Sequence, residues 1–171
     1  MSGKKRKASS ADKDPDQESK ATEATGTVRF HRVFKCPPER VYKAILDPAA
    51  NCKWLAPHGF TCTVHKMNAV VGGVYRITFE NFSTGKTHTF GGVYKELDPG
   101  KKIVATDSFE DPKLPGTMIT TYTFAKVSVG SEVKIVQEGI PGAIPSEACY
   151  LGWQESLELL AKVVEPDIPD Q

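Results

Sequence analysis

Residues able to do chemistry are few in this 171-residue chain, and they stand apart from one another. Glu138 is the most suggestive acid. It follows the apolar run "VKIVQ" and precedes the Pro- and Gly-rich "GIPGAIPSE". A carboxylate at such a junction can be desolvated and act as an acid or a polar anchor, the alternative being a solvated strand end. His31, His65 and His88 fall inside strand-like runs and His58 in a loop after Trp54, positions where surface or hydrogen-bonded roles are the plain reading. Cys36, Cys52, Cys62 and Cys149 make no CxxC pair, and no histidine follows at metal-ligand spacing, so they read as free buried thiols. Nucleophilic or acid–base catalysis needs two groups within hydrogen-bond reach. The chain has no G-x-S-x-G elbow, H-E-x-x-H pair, P-loop or paired carboxylates between apolar runs. No catalytic residue, metal or cofactor is therefore assigned.

The elements that position these residues follow from hydrophobic period. "TVRFHRVFK" sets Val28, Phe30 and Phe34 against Arg29, His31 and Val33, a period of two and hence a half-buried strand. "CPPERVYKAILD" begins with prolines, tolerated in a first helical turn, and continues with Val41, Tyr42, Ile45 and Leu46 at helical spacing. Asp47-Pro48 breaks it, and a second short helix runs from about Pro48 to Leu55. From Phe60 the period returns to two in six runs: "FTCTVHKM", "GVYRITFE", "KTHTFGGVYKEL", "KKIVATDSF", "TMITTYTFAKV" and "SEVKIVQEGI". Their short connections predict antiparallel hairpins. Gly91-Gly92 predicts a bulge or bend, and Asp98-Pro99-Gly100 marks the turn of a hairpin. Near the C-terminus, Trp153, Leu157, Leu160, Ala161 and Val164 form one helical stripe, with Glu155, Glu158 and Lys162 opposite. This stripe must be buried, and the concave face of a curled seven-stranded sheet is the surface available. The fold class is α+β, a sheet gripping a helix.

Residues 1–25 differ in kind. They lack aromatic residues, Val, Ile and Leu, and are expected to be a disordered charged tail ahead of a single domain at 26–171. Lys4-Lys5-Arg6-Lys7 reads as part of a solubilising tail, with a nuclear address or polyanion contact as the alternative. The tail holds six Lys/Arg and five Asp/Glu of the chain's 22 and 21, so the remainder is formally neutral, which argues against a nucleic-acid-binding domain. No apolar stretch suits a signal segment or membrane span, and a soluble, cytoplasmic protein is expected.

Five segments in order resemble the helix-grip superfamily of START domains, birch-pollen-allergen-like proteins and polyketide cyclases: "PPERVYKAILDP", "WLAPHGF", "VVGGVYRITF", "GGVYKELDPGKKIVAT" and "GWQESLELLAKVVE". More narrowly, they are similar to the branch of the C-terminal domain of the activator of the ninety-kilodalton heat-shock chaperone's ATPase. The resemblance spans about Val28 to Val164. It implies a helix-grip fold with an apolar cavity between sheet and long helix, holding a lipid-, sterol- or polyketide-like ligand. The hairpin around Asp98-Pro99-Gly100 resembles central strands of the grip, which implies that one side of Val93, Leu97, Ile103 and Ala105 packs on or lines the cavity. It also implies two alternatives, a stress-response co-chaperone module acting on that chaperone and a cyclase or hydrolase working in the same cavity through Glu138, His88 or Tyr122. The activator's N-terminal domain has no counterpart here, which counts against ATPase stimulation. Ligand contacts are expected from Trp54, Phe60, Tyr75, Phe90, Tyr122, Tyr150 and Trp153, with Glu138 at the cavity mouth.

Overall fold

In the computed structural model, residues 24–170 are described. The basic run at 4–7 and residues 1–23 of the expected tail lie outside them. The elements run β1 (Gly26–Phe34), α1 (Pro38–Leu46), α2 (Pro48–Trp54), β2 (Phe60–Met67), β3 (Val74–Asn81), β4 (Thr87–Asp98), β5 (Lys102–Phe109), β6 (Met118–Val127), β7 (Gly130–Ile140) and α3 (Ser146–Val164). All strand pairings are antiparallel, in the order β1-β7-β6-β5-β4-β3-β2. This is the expected α+β architecture, a seven-stranded sheet with a long C-terminal helix, consistent with the helix-grip fold.

Local chemistry sets the element ends. Pro37 and Pro38 open α1, where their missing amide protons cost nothing. Asp47 ends α1, and its carboxylate accepts the Ala50 amide at 2.9 Å, capping α2 ahead of Pro48. The Trp54 indole N–H then donates to the Ala44 carbonyl at 2.9 Å, locking α2 against α1 with the ring fully buried.

The sequence stripe of α3 splits into two halves with different jobs. Leu157, Leu160, Ala161 and Val164 are buried with Phe34, Phe124, Val133 and Ile135 in a continuous core. The preceding turns present Ala148, Cys149, Gly152 and Ser156 to the interior beside Trp153. Small side chains there do not fill the space that the later leucines and valines fill, and a void between helix and sheet follows. Ser156 is buried, its hydroxyl 2.7 Å from the Leu55 carbonyl and 2.9 Å from the Gly152 carbonyl, so the helix is tied to the loop after α2 without bulk.

One expectation about the β4–β5 hairpin is corrected. The register shift falls between Tyr94 and Glu96, not at the glycine pair. Because a bulge reverses the alternation, Leu97 faces the core opposite Ile103 while Val93 lies on the other side and Tyr94 is buried instead. The glycines have another role. A Cβ on Gly91 would meet the Tyr75 carbonyl oxygen, and one on Gly92 the Thr106 carbonyl oxygen, so both neighbouring strands crowd β4 here. Between Gly91 and Tyr94 the ladder opens, and the Val93 amide donates to the Thr106 hydroxyl at 3.0 Å.

None of the described helices is long and apolar enough to cross a membrane.

Candidate functional site

The void is a cavity of about 510 Å³ between the concave face of the sheet and the first turns of α3, with the α1–α2 unit contributing Ile45, Asn51 and Leu55. Each strand from β2 to β7 contributes inward residues. Tyr75, Ile77 and Phe79 of β3 alternate inward together, as do Met118, Thr120 and Tyr122 of β6. Phe79 packs edge-on against Phe90 with ring centroids 4.8 Å apart, and Phe90 against Phe109 at 6.1 Å. The lining is mainly apolar and aromatic.

Of the eight residues expected to contact a ligand, Phe60, Tyr75, Phe90, Tyr122 and Trp153 line this cavity. Three do not. Trp54 is buried behind it in the core. Tyr150 is 38% exposed and packs on Phe30 with ring centroids 5.1 Å apart, outside the lining. Glu138 is exposed and on the outer face, where its β-partners are Thr27 and Ile119. It is Gln137 that turns inward, and its Oε1 accepts the Trp153 indole N–H at 3.0 Å. Trp153 is half-buried, between Phe30 and Tyr122 at centroid distances of 5.8 and 6.1 Å.

Sequence reasoning missed the acid that does line the cavity, Asp107. The signal was present: Ile103, Ala105 and Asp107 share one strand parity, and the first two are buried. By register Asp107 sits opposite Met118 on β6, and the β4–β5 alignment brings Gly92 level with it on the other side. Tyr75 in turn pairs with Gly92 from β3. The missing side chain at Gly92 lets the Tyr75 phenol reach across β4, where its hydroxyl donates to the Thr106 carbonyl at 2.7 Å. The Tyr75 hydroxyl is thus shared between the Thr106 carbonyl and the neighbouring Asp107 carboxyl. Oδ1 of Asp107 is shut off from solvent and has no hydrogen-bond partner among the described residues. Burial pushes the Asp107 carboxyl up to about 7, against which nearby Tyr75 and the Ser108 backbone pull only partly.

The surrounding phenols are held neutral for the same reason. Burial raises Tyr75 and Tyr122, with the Asp107 charge adding to both, and pushes Tyr94 up to about 12. All four cysteines are free. Cys149, in the cavity wall, is raised by burial, as is Cys36, and Cys62 is pushed up to about 12, so these thiols stay protonated and unreactive. His88 reaches the lining, whereas His65 bonds the Thr78 hydroxyl at 2.7 Å, His31 meets Glu132 at 2.8 Å, and His58 lies near Glu155 and Glu158 of α3. No group of three or more His, Cys, Asp or Glu able to hold a metal occurs among the described residues.

Comparison with known proteins agrees with this architecture. Residues 35–165 match the family model described as activator of Hsp90 ATPase homolog 1-like protein. A solved structure from Chromobacterium violaceum is 58% identical, with TM-score 0.82, the match covering 82% of this chain and 98% of that one. More distant structures share the fold. A Rhodobacter sphaeroides protein is 20% identical at TM-score 0.72, covering 80% of this chain and 90% of that one. An AHSA1-like protein from Aeromonas hydrophila is 18% identical at TM-score 0.66, covering 82% and 92%. No functionally curated protein matches. With the family model spanning most of the chain from α1 to the end of α3, this protein belongs to the family of activator of Hsp90 ATPase homolog 1-like proteins, within the helix-grip superfamily.

Proposed function

We propose that the protein binds a small, largely apolar ligand in the cavity between sheet and helix. The observation that carries this reading is the cavity itself, about 510 Å³ with an aromatic and aliphatic wall and few polar groups. Ligand pockets fall in the range of roughly 300–1,000 Å³ with that kind of lining. A lipid-, sterol- or polyketide-like molecule presents apolar surface of the kind that this wall would bury. Mass spectrometry of whatever co-purifies, followed by titration of the delipidated protein with each class under NMR, tests it. Shifts gathered at Tyr75, Phe90, Tyr122 and Trp153 are expected. Shifts absent from these residues with every class would remove the reading.

The family description favours a second reading, a module acting on a heat-shock chaperone ATPase. Here the outer surface would matter and the cavity would not. An unchanged chaperone ATPase rate together with no association in co-precipitation would eliminate it. An enzyme using the cavity would draw on His88, Tyr122 and Asp107, which line it, and not on Glu138, which lies on the opposite face.

A further inference from the structure

We propose that the cavity takes a lipophilic amine, an apolar skeleton whose protonated nitrogen is held by the carboxylate of Asp107. This rests on the cavity reading above and narrows it to one chemical class.

The argument starts from unmet hydrogen bonds. Two residues of the cavity lining, Asp107 and Asn51, each carry a buried side-chain oxygen, Oδ1, without a partner among the described residues. Both are acceptors. The orientation of Asn51 is fixed because its amide nitrogen donates to the Ile45 carbonyl at 3.0 Å. Buried polar groups are ordinarily paired, and a buried carboxylate with one oxygen unpartnered and no countercharge is costly to keep, even with Tyr75 and the Ser108 backbone beside it. A protonated amine offers donors only, together with the countercharge that Asp107 lacks.

The rest of the wall sharpens the choice. The titratable groups facing Asp107 or sharing the cavity are Tyr75 from β3, His88 and Tyr94 from β4, Tyr122 from β6 and Cys149 from α3. No Lys or Arg lines the cavity among the described residues. A fatty acid or phosphate-headed lipid would therefore bring an anion to a wall whose acid has no cation beside it. Asp107 shares the wall with the aromatic rings of Tyr75 and Tyr122, which leaves its carboxyl as the one acidic group among the described lining residues. The carboxyl's raised pKa fits a site awaiting a cation: an arriving ammonium draws it to the ionised form and releases its proton to solvent.

Three ligands with the same chain and different heads provide the test: decylamine, decanol and decanoate, each displacing the neutral dye Nile red from the full-length protein and from Asp107→Asn. On the wild type, decylamine is expected to displace the dye at concentrations at least about tenfold below decanoate, with decanol between them. Its advantage should grow as pH rises from about 5 to about 8, as the carboxyl ionises. In Asp107→Asn, confirmed as folded by its thermal transition, the amine should lose its lead. Decanoate or decanol matching decylamine on the wild type would overturn the proposal without any variant. So would an amine lead that survives in Asp107→Asn. If Nile red enters and the heads do not discriminate, only the amine inference fails. If neither the dye nor any of the three enters, the cavity reading fails with it.

Discussion

The indole N–H of Trp153 donates to Oε1 of Gln137 at 3.0 Å, joining α3 to β7 where both residues line the cavity. The ring also packs on Phe30 and, edge-on, on Tyr122. Trp153 thus serves stability and the cavity wall together. Trp153→Ala should cost about 2–3 kcal/mol, below the ~3–5 kcal/mol of a fully buried aromatic because the residue is only half-buried. Trp153→Phe keeps the packing and loses the hydrogen bond, with an expected cost of about 1 kcal/mol. Urea denaturation gives both values, and dye titration of the alanine variant should show weakened uptake. Unchanged stability and uptake in Trp153→Ala would contradict this placement.

Trp54 provides the contrast. It is fully buried, hydrogen-bonded to Ala44, and absent from the cavity lining. Trp54→Phe should lower stability by about 1–3 kcal/mol, from the orphaned Ala44 carbonyl and the lost volume, while leaving apolar dye affinity within about twofold. A large affinity loss in a variant that keeps its stability would mean that Trp54 reaches the ligand after all.

How much of this was legible in the sequence depended on whether alternation ran unbroken. β1, β3, β6 and the stripe of α3 keep a constant period, and their inward residues could be read directly. At β4 the shift between Tyr94 and Glu96 inverts the parity, and no residue type marks it, so unbroken alternation from Leu97 turns Val93 to the wrong face and hides Tyr94. The acids are a different case. Val133 and Ile135 are buried, so alternation already placed Gln137 inward and Glu138 outward. Likewise Ile103 and Ala105 placed Asp107 inward. In both strands an acid's place in the pleat, not its nearness to a loop, decides whether it enters the cavity. The cavity was legible only as a resemblance, because its volume depends on how closely α3 approaches the sheet. The small residues at 148, 149, 152 and 156 are the trace it left in the sequence.

Gly152 tests that last point. It lies inside α3, and a Cβ there would meet only Pro57 Cγ, at 3.8 Å. Gly152→Ala should therefore raise stability by about 0.5–1 kcal/mol through helix propensity, read from the shift in denaturation midpoint. A bulkier Gly152→Leu should enter the cavity and reduce Nile red uptake. If Gly152→Ala destabilises, the helix packs against the α2–β2 loop more tightly than the Pro57 contact indicates.

Gly92→Ala should act in the opposite direction. The added Cβ would collide with the Thr106 carbonyl oxygen, a backbone atom that cannot swing aside, and a cost of about 1–3 kcal/mol is expected. Because the Tyr75 phenol reaches across Gly92 to that same carbonyl, the variant should perturb the Tyr75 ring signals in NMR spectra. Wild-type stability with unshifted Tyr75 signals would show that β4 is not held closely at this position.

Asp107 makes the stability of the empty protein depend on pH in an unusual direction. Its carboxyl is raised from 3.8 to about 7 by burial. Between those values the folded protein retains a proton that the unfolded chain has released, so this group's contribution falls as pH rises through the window. Below about 4 both states are protonated and the penalty is absent, and above about 7 it is complete, with a ceiling of about 4 kcal/mol. Asp107→Asn removes the titration and keeps the shape. The variant should gain about 1–4 kcal/mol over the wild type at about pH 8 and markedly less at about pH 4.5. Other titrating groups are common to both proteins and largely cancel in the difference. Urea midpoints of the delipidated proteins across that range supply the measurement. A difference that stays flat with pH would mean that Asp107 is solvated in the folded protein. Repeating the series with saturating decylamine adds a second check: an ammonium beside the carboxylate should erase most of the variant's advantage at the upper end of the range.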